Sequence, residues 1–102
     1  MTDAETLKVP EEAEVVHGWL SRTREVMVFR RRGEILACSA ICPHMGARLE
    51  VDRRRDAVVC PWHGLAFTLP EGRSGHPRYA RLKTYAPTLS GGLVLVEPED
   101  PA

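Results

Sequence analysis

The sequence predicts an all-β protein, a small antiparallel sandwich or barrel, and two observations carry that prediction. Short apolar runs recur along the 102 residues with glycine, proline and charged residues between them, which is the pattern of strands joined by tight turns. No segment of about ten or more residues holds the 3.6-residue apolar period of an amphipathic helix. A chain of this length suffices for one domain and is too short for two, so we expect residues 1–102 to form a single domain.

Taken in chain order, the apolar runs predict two weaker N-terminal strands and then three hairpins. The runs are Leu7–Val9, Ala13–His17, Val26–Phe29, Ile35–Cys38, Ala57–Cys60, Leu65–Thr68, Leu82–Ala86 and Leu93–Val96. The first hairpin is expected to turn at Arg30–Glu34, where a glycine can adopt a positive φ. Pro70–Arg73 closes the second as a turn, and Ser90–Gly92 joins the third. His17 is expected to end its strand, and residues 98–102 to form a frayed tail.

Charge and hydropathy narrow the possible partners. The 14 basic and 14 acidic residues balance, so composition gives no reason to expect nucleic acid or an anionic membrane as a partner. The longest apolar stretches, such as Leu93–Val96, are far shorter than the ~20 residues that span a bilayer. The acidic start, Met1–Glu5, lacks the basic-then-apolar order of a signal peptide. We therefore expect a cytoplasmic protein without a membrane segment.

Two short Cys/His pairs are the chemical centre of the sequence. They are Cys42-Pro43-His44 and Cys60-Pro61-Trp62-His63. Three cysteines are an awkward number for a disulfide scaffold, and in a reducing cytosol cysteines close to histidines are more often metal ligands. Each paired cysteine precedes a proline, which stiffens the loop. Gly46 and Gly64 let the backbone fold tightly and direct amide N–H groups towards a negatively charged sulfur cluster. The third cysteine, Cys38, is predicted to be a small buried strand residue, with a redox-sensing thiol or an extra ligand as the alternative.

The spacing of these pairs, C-x-H, fifteen residues and then C-x-x-H-G, resembles the Rieske family, and the resemblance covers nearly the whole chain. It implies a Rieske-like fold with a cluster-binding subdomain of two loops, at about residues 42–68, and one [2Fe–2S] cluster per chain. By matching motif it implies that Cys42 and Cys60 bind one iron and that His44 and His63 bind the other, with the histidines at the protein surface. A structural Cys₂His₂ zinc site is the alternative, because zinc accepts the same four ligands.

Positions next to the ligands bear on which kind of Rieske protein the chain resembles. Respiratory members carry a further cysteine in each loop, and those two form a disulfide; the matching positions here, at or near Ala47 and at Trp62, are not cysteine. The hydroxyl donors that such proteins present to the cluster are matched here by Leu65 and Phe67. Without those hydrogen bonds we expect a potential near the low end of the Rieske range, about −150 mV. Trp62 could pack over the cluster or form part of a docking face.

The resemblance therefore implies an electron-carrying ferredoxin that is not itself an enzyme. Two histidines, His17 and His76, remain unassigned, and neither has the carboxylate spacing of a mononuclear iron site. We expect a flavin-dependent reductase as electron donor and a terminal oxygenase as acceptor, Rieske-type and acting on aromatic rings or similar substrates. Two alternatives stay open. One is a small Rieske subunit of a nitrite-reductase-like complex, and the other is a redox-sensing or structural metal-binding module.

Two arginine runs, Arg30–Arg32 and Arg53–Arg55, fall at predicted turn tips. The simplest interpretation is that the tips are solvated. A basic patch near the cluster could instead steer an acidic partner, with salt dependence as its signature.

Overall fold

The computed structural model describes most of the chain and shows a fold made of antiparallel strands. The described residues are 5–43, 46–62, 64–69, 72–73 and 81–97. The strands within these ranges are β1 Glu5–Lys8, β2 Val15–Ser21, β3 Arg24–Arg31, β4 Glu34–Ser39, β5 Glu50–Asp52, β6 Ala57–Val59, β7 Ala66–Thr68, β8 Thr84–Tyr85, β9 Thr88–Ser90 and β10 Leu93–Val96. The predicted all-β class is confirmed. Within those ranges no helix is present that could cross a bilayer.

The strands form three sheets, and every pairing between them is antiparallel. The central sheet has the order β2-β3-β4-β8, the terminal sheet β1-β10-β9, and the loop sheet β5-β6-β7. The loop sheet and the two Cys/His loops next to it fall within the subdomain expected at about residues 42–68.

The central sheet separates two apolar cores. Successive side chains of a strand point to opposite faces, so Met27, opposite Cys38, belongs to the core shared with the loop sheet. Val28, opposite Ala37, belongs to the core shared with the terminal sheet. Both faces are therefore covered, which explains why Glu25–Phe29 are buried without a break instead of alternating.

The first predicted hairpin is confirmed, but its turn is tighter than expected. β3 and β4 stay paired as far as Arg31 opposite Glu34, so only Arg32 and Gly33 form the turn. Both have positive φ, 51° and 83°, as a two-residue type I′ turn requires. Arg30–Glu34 therefore belongs mostly to the strands, because the pairing continues through the charged residues.

The third predicted hairpin is correct in its second arm and wrong in its first. β10 pairs with β9 across the turn at residues 91–92, and not with the segment Leu82–Ala86. That segment contributes β8, which pairs with β4 in the central sheet. The reason lies in the cores: Leu82 is buried with the loop sheet, whereas Val94 and Val96 are buried on the other side of the central sheet.

The two N-terminal strands also differ from the prediction, since β1 begins earlier and β2 ends later than expected. β1 pairs with β10 at the far end of the sequence. β2 continues to Ser21, so His17 lies inside a strand, opposite Met27, and does not end it. Its neighbour β3 begins at Arg24 and pairs with β2 from Val15 to Ser21, with one irregularity between Trp19 and Ser21. The short strand β5, Glu50–Asp52, escaped prediction because it holds a single apolar residue.

Gly72 fixes the chain to the far end of the loop sheet. Its carbonyl accepts a hydrogen bond from the Leu82 N–H at 2.8 Å, and Thr68 N–H donates to the Arg73 carbonyl at 2.8 Å. A Cβ at Gly72 would lie 2.2 Å from the Leu82 carbonyl oxygen. No side chain fits this approach, so the glycine is required for the two segments to meet. Part of the predicted turn at Pro70–Arg73 lies outside the described residues.

Candidate metal centre

The first Cys/His pair lies in a closed loop of six residues, loop 1, Cys42–Ala47. The Cys42 N–H donates to the Ala47 carbonyl at 2.7 Å, and the Gly46 N–H donates back to the Cys42 carbonyl at 2.9 Å. One further hydrogen bond lies at its base, where Leu49 N–H donates to the Ala40 carbonyl at 2.8 Å, and Ile41 and Arg48 form an antiparallel bridge there. Loop 1 is therefore the tip of a small antiparallel extension that follows β4.

The second pair lies in loop 2, Cys60–Leu65, and its backbone closes in the same way. The Cys60 N–H donates to the Leu65 carbonyl at 2.8 Å, and the Gly64 N–H donates to the Cys60 carbonyl at 2.8 Å. Loop 2 joins β6 to β7, which are themselves paired, so a regular hairpin fixes both of its ends.

The fifth residue of each loop is a glycine because of its backbone conformation. Gly46 has φ 74° and Gly64 has φ 67°, in the left-handed region where a side chain costs energy. Space is not the reason, since a Cβ at either position would have nothing within 4 Å. The expected tight fold is confirmed. The glycines' own N–H groups are used to close the loops.

The two loop cysteines are both buried and belong to the same apolar core. Cys42 is 2% exposed and Cys60 is 0% exposed, and both pack in the core that contains Val58 and Phe67. All three cysteines of the chain are free thiols. The donor set fits a [2Fe–2S] group that takes its two thiolates from inside the protein, because a buried thiolate needs a metal or a cation to offset its charge. The predicted ligands His44 and His63 lie outside the described residues.

Cys38 is the third thiol of that core. Cys38 is fully buried in strand β4, where it pairs with Met27 of β3. Burial raises the pKa of its thiol to about 12. The thiol is therefore protonated at neutral pH and behaves as a small apolar side chain. These observations favour the structural interpretation of Cys38.

A charged cluster that sequence reasoning missed lies beside the base of loop 1. The Glu25 carboxylate is 5% exposed; its Oε2 accepts a hydrogen bond from Arg48 Nη2 at 2.5 Å and lies 3.5 Å from His17 Nδ1. The Glu25 carbonyl accepts the Ala40 N–H at 2.9 Å. Burial, and then the Arg48 charge, lower the pKa of His17 against the opposing influence of Glu25. The only feature of the sequence that could have indicated this cluster is that Glu25 directly precedes the apolar run Val26–Phe29.

Loop 2 has a more exposed tip. Trp62 is 64% exposed, so of the two interpretations left open by the sequence the structure favours a surface role. The residues matched to hydroxyl donors are both apolar: Leu65 packs partly buried against the core, and Phe67 is 0% exposed within it.

The two arginine runs lie away from these loops. In the loop sheet, Glu50 and Val59 pair at the end next to the Cys/His loops, and Asp52 and Ala57 pair at the other end. The turn that contains Arg53–Arg55 follows Asp52 and so lies at the far end. The alternative of a basic patch near the Cys/His loops is therefore not supported, because the hairpin directs its tip away from its base.

Comparisons with known proteins identify the family of the domain. The family model for the Rieske [2Fe-2S] domain matches residues 3–86. The chain is 32% identical over 72 residues to the cytochrome b6-f complex iron-sulfur subunit of Chlorobaculum tepidum, covering 71% of this chain and 40% of that subunit. It is 41% identical over 68 residues to the oxygenase component of chloroacetanilide N-alkylformylase from Rhizorhabdus wittichii, covering 62% of this chain and 19% of that component.

Among solved structures, the chain is similar to the plasma membrane Rieske protein of Synechocystis PCC 6803. The TM-score is 0.66 at 29% identity, and the match covers 82% of this chain and 86% of that chain. The two aligned relatives are longer than the matched region, which is 40% of one and 19% of the other. What they share with this chain is a domain that binds one [2Fe–2S] cluster and transfers electrons.

Proposed function

Because the chain belongs to the Rieske [2Fe–2S] domain family, we propose that it is a low-potential ferredoxin that takes electrons from a flavin-dependent reductase and delivers them to a terminal oxygenase. The oxygenase would be of the Rieske type and act on aromatic rings or similar substrates. The observation that carries this proposal is the identity of four residues in or just after the two loops. Neither Ala47 nor Trp62 is a cysteine, and neither Leu65 nor Phe67 offers a hydroxyl group.

The proposed ligands are Cys42 and Cys60 for one iron and His44 and His63 for the other. The structure supports the cysteine half, because both thiols are buried in one core and both lie at the start of identically closed loops. When bound, the cluster supplies one-electron oxidation and reduction. The residues of this chain hold it in place and exclude water from the thiolate side.

The low potential follows from what surrounds the thiolates. Hydrogen bonds to the sulfur atoms stabilise the reduced, more negative state and raise the potential. Phe67 is fully buried in the core that also holds both cysteines, and Leu65 packs against the same core. Neither side chain has a donor, so we propose a potential near the low end of the family's range, about −150 mV.

The choice of an oxygenase system is supported by the 41% identity to an oxygenase component. A reducing, cytoplasmic location is part of the same proposal, and it agrees with the free state of Cys38, the one cysteine outside the proposed ligand set. The similarity to a cytochrome b6-f subunit defines the competing class. Such a carrier would be expected at a higher potential, towards the roughly +300 mV end of the family's range.

The test begins with anaerobically purified protein. Iron and acid-labile sulfide are assayed, the EPR spectrum is recorded after dithionite reduction, and the midpoint potential is measured by redox titration. We expect a Rieske EPR signal and a midpoint potential of about −150 mV. A colourless protein with bound zinc would reject electron transfer altogether, and a midpoint well above 0 mV would favour the cytochrome-complex class.

Partner choice is tested with the reduced protein. Mixed with an oxidised Rieske oxygenase, it should reoxidise within a single turnover, and a flavin-dependent reductase with NADH should reduce it again. Failure to exchange electrons with any member of either class, despite a normal cluster, would contradict the assignment to an oxygenase system.

A further inference from the structure

The two arginine runs meet in a cleft at the end of the molecule away from the Cys/His loops. The cleft has a volume of about 380 Å³, and its walls include Arg30–Arg32 from the β3–β4 turn and Arg53–Arg54 from the β5–β6 turn. The two runs are more than twenty residues apart in the chain. Folding brings them together because the central sheet and the loop sheet pack face to face with both turns at the same end.

Most of these guanidinium groups bind neutral acceptors. Arg30 Nε donates to the Pro10 carbonyl at 2.8 Å, and Arg53 Nη1 donates to the Arg30 carbonyl at 2.5 Å. Arg31 Nη1 donates to the Leu69 carbonyl at 2.6 Å. A backbone carbonyl orients a guanidinium but does not cancel its charge, so these three arginines are held in place while their positive charge persists.

The carboxylates of the cleft offset only part of this charge. Asp56 lies 3.4 Å from Arg31 Nε and 3.6 Å from an Arg32 nitrogen. Asp52 accepts the backbone N–H groups of the β5–β6 turn and so serves to cap that turn. With Glu12, three acidic residues line the cleft against five arginines.

Two of the cations have donors to spare, whereas Arg31 Nε is buried beside Asp56 and is not open to a ligand. The Arg32 side chain is 79% exposed. Within the described part of the chain, the Arg54 guanidinium makes no hydrogen bond or ion pair, and only the backbone N–H of Arg54 is engaged. The cleft therefore presents oriented donors that are available to an anionic ligand.

We propose that this cleft docks an acidic polypeptide segment of a partner protein. The unsatisfied donors come from two separate turns and do not converge on one point, so they match singly charged carboxylates spaced along a chain. A compact, highly charged anion such as phosphate would meet Asp56 and Glu12 at close range. Because the site lies at the far end from the Cys/His loops, an acidic segment bound there leaves the cluster end free for electron transfer.

This proposal does not depend on the identity of the electron-transfer partners, and it is tested by binding alone. The intact protein is titrated with a capped hexaglutamate peptide at low ionic strength, by calorimetry, and the titration is repeated as salt is added. We expect binding that weakens steadily with salt. The visible absorption of the cluster should not change at saturation, since the cleft is remote from it.

The variant Arg32→Gln/Arg54→Gln removes the two most open cations of the cleft. Exposed ion pairs each contribute about 0.2–1 kcal/mol, so the dissociation constant should rise between about twofold and thirtyfold. The control Arg22→Gln/Arg24→Gln removes the same charge from the exposed β2–β3 turn and should change it less than about twofold. Arg54→Gln alone repeats the test at a side chain without a hydrogen bond or ion pair in the described structure.

Several outcomes would overturn the proposal. Absence of peptide binding at low salt would do so, as would an equal loss of binding in the control variant, which would indicate non-specific attraction. Inorganic phosphate binding as tightly as the peptide would identify a small-anion site instead. A change in the cluster's visible spectrum that tracks peptide binding would place the peptide at the Cys/His loops.

Discussion

Loop 1, residues 42–47, and loop 2, residues 60–65, close their backbones with the same pair of hydrogen bonds but lie against different neighbours. Loop 1 follows the central sheet, and its base is tied by the buried Glu25 carboxylate and Arg48. Loop 2 is the connection of a paired hairpin, and its sixth residue, Leu65, packs against the apolar core. Both loops rest on antiparallel pairing and on the same apolar core, and what distinguishes loop 1 is the buried charged contact at its base.

The two loops also differ in the spacing of the proposed ligand pairs. Both loops place cysteine first, proline second and glycine fifth. The histidines are one residue out of step, since His44 is third in its loop and His63 is fourth. Trp62 and Met45 occupy the complementary positions. Two loops closed by the same hydrogen bonds therefore differ in the spacing from cysteine to histidine.

The largest expected effect comes from removing either loop's thiol. Cys42→Ala and Cys60→Ala should each abolish cluster binding, because each loop contributes one of the two proposed thiolates. Iron and sulfide analysis, with the visible spectrum, measures this. Cys38→Ala is the matched control, a buried thiol of the same core, and should retain a full complement of iron. Loss of iron in the control but not in one loop variant would reverse the assignment.

The next effect separates the loops by their supports. Arg48→Met leaves the Glu25 carboxylate buried without its main partner. The expected cost is about 2 kcal/mol, below the 3–5 kcal/mol of fully buried pairs, because the Arg48 side chain is 62% exposed. Chemical denaturation measures the free energy of unfolding, and Arg54→Met is the matched control with little expected change.

Amide hydrogen exchange then locates that effect. In Arg48→Met the Gly46 N–H should exchange faster, while the Gly64 N–H should keep its protection. The double variant Glu25→Gln/Arg48→Met should recover part of the lost stability, since no unpaired charge remains buried. Equal loosening of both loops would mean that the charged cluster supports the whole fold and not loop 1.

The apolar support of loop 2 is tested through the potential. Leu65→Ser introduces a hydroxyl donor, and a hydrogen bond to a charged group contributes about 1.5 kcal/mol or more, which corresponds to roughly 60 mV for one electron. The midpoint potential should therefore rise by about that amount. Leu65→Ala removes the same apolar side chain without adding a donor, and an equal rise in that variant would refute the hydrogen-bond argument.

A smaller effect tests the shared backbone. Gly46→Ala and Gly64→Ala should each lower the free energy of unfolding by about 1 kcal/mol. The two losses should be similar, because both glycines have positive φ and open space around the missing Cβ. Gly72→Ala should cost clearly more, since its Cβ would collide with the Leu82 carbonyl. Thermal unfolding midpoints compare the three. A marked difference between the first two would show that the loops are not equivalent in backbone strain.

The smallest effect is a pH dependence of the free energy of unfolding, and it arises from His17 in the charged cluster at the base of loop 1. Burial and the nearby Arg48 charge lower the pKa of His17 below its usual 6.5. The unfolded chain then binds this proton at a higher pH than the folded one, so His17 favours the folded state above pH 6.5, and that contribution is lost as the pH falls. The free energy of unfolding of the wild type and of His17→Gln is measured by chemical denaturation at several pH values around and below 6.5. The difference between the two proteins at each pH gives the contribution of His17. A difference that is flat with pH would contradict the shifted pKa.

Much of the fold could be predicted from local pattern. The β3–β4 hairpin and the pairing of β6 with β7 were correct because turn residues and flanking apolar runs are close in the chain. The partner of residues 82–86 was wrong, since which core receives Leu82 depends on the packing of distant sheets. Of the candidate site, the cysteine positions and their glycine-closed loops were predictable, but the Glu25–Arg48 contact was not, because it joins two separate segments.

The sequence by itself determined the two loops and the candidate ligands they carry, since cysteine, proline, histidine and glycine act through their immediate neighbours. It also determined that the chain is built of strands. Only the tertiary structure decided that both arginine runs share one cleft, that this cleft lies away from the Cys/His loops, and that a buried carboxylate supports one loop alone. The physical reason is that such contacts depend on which apolar faces are buried together, and that is settled by the whole chain at once.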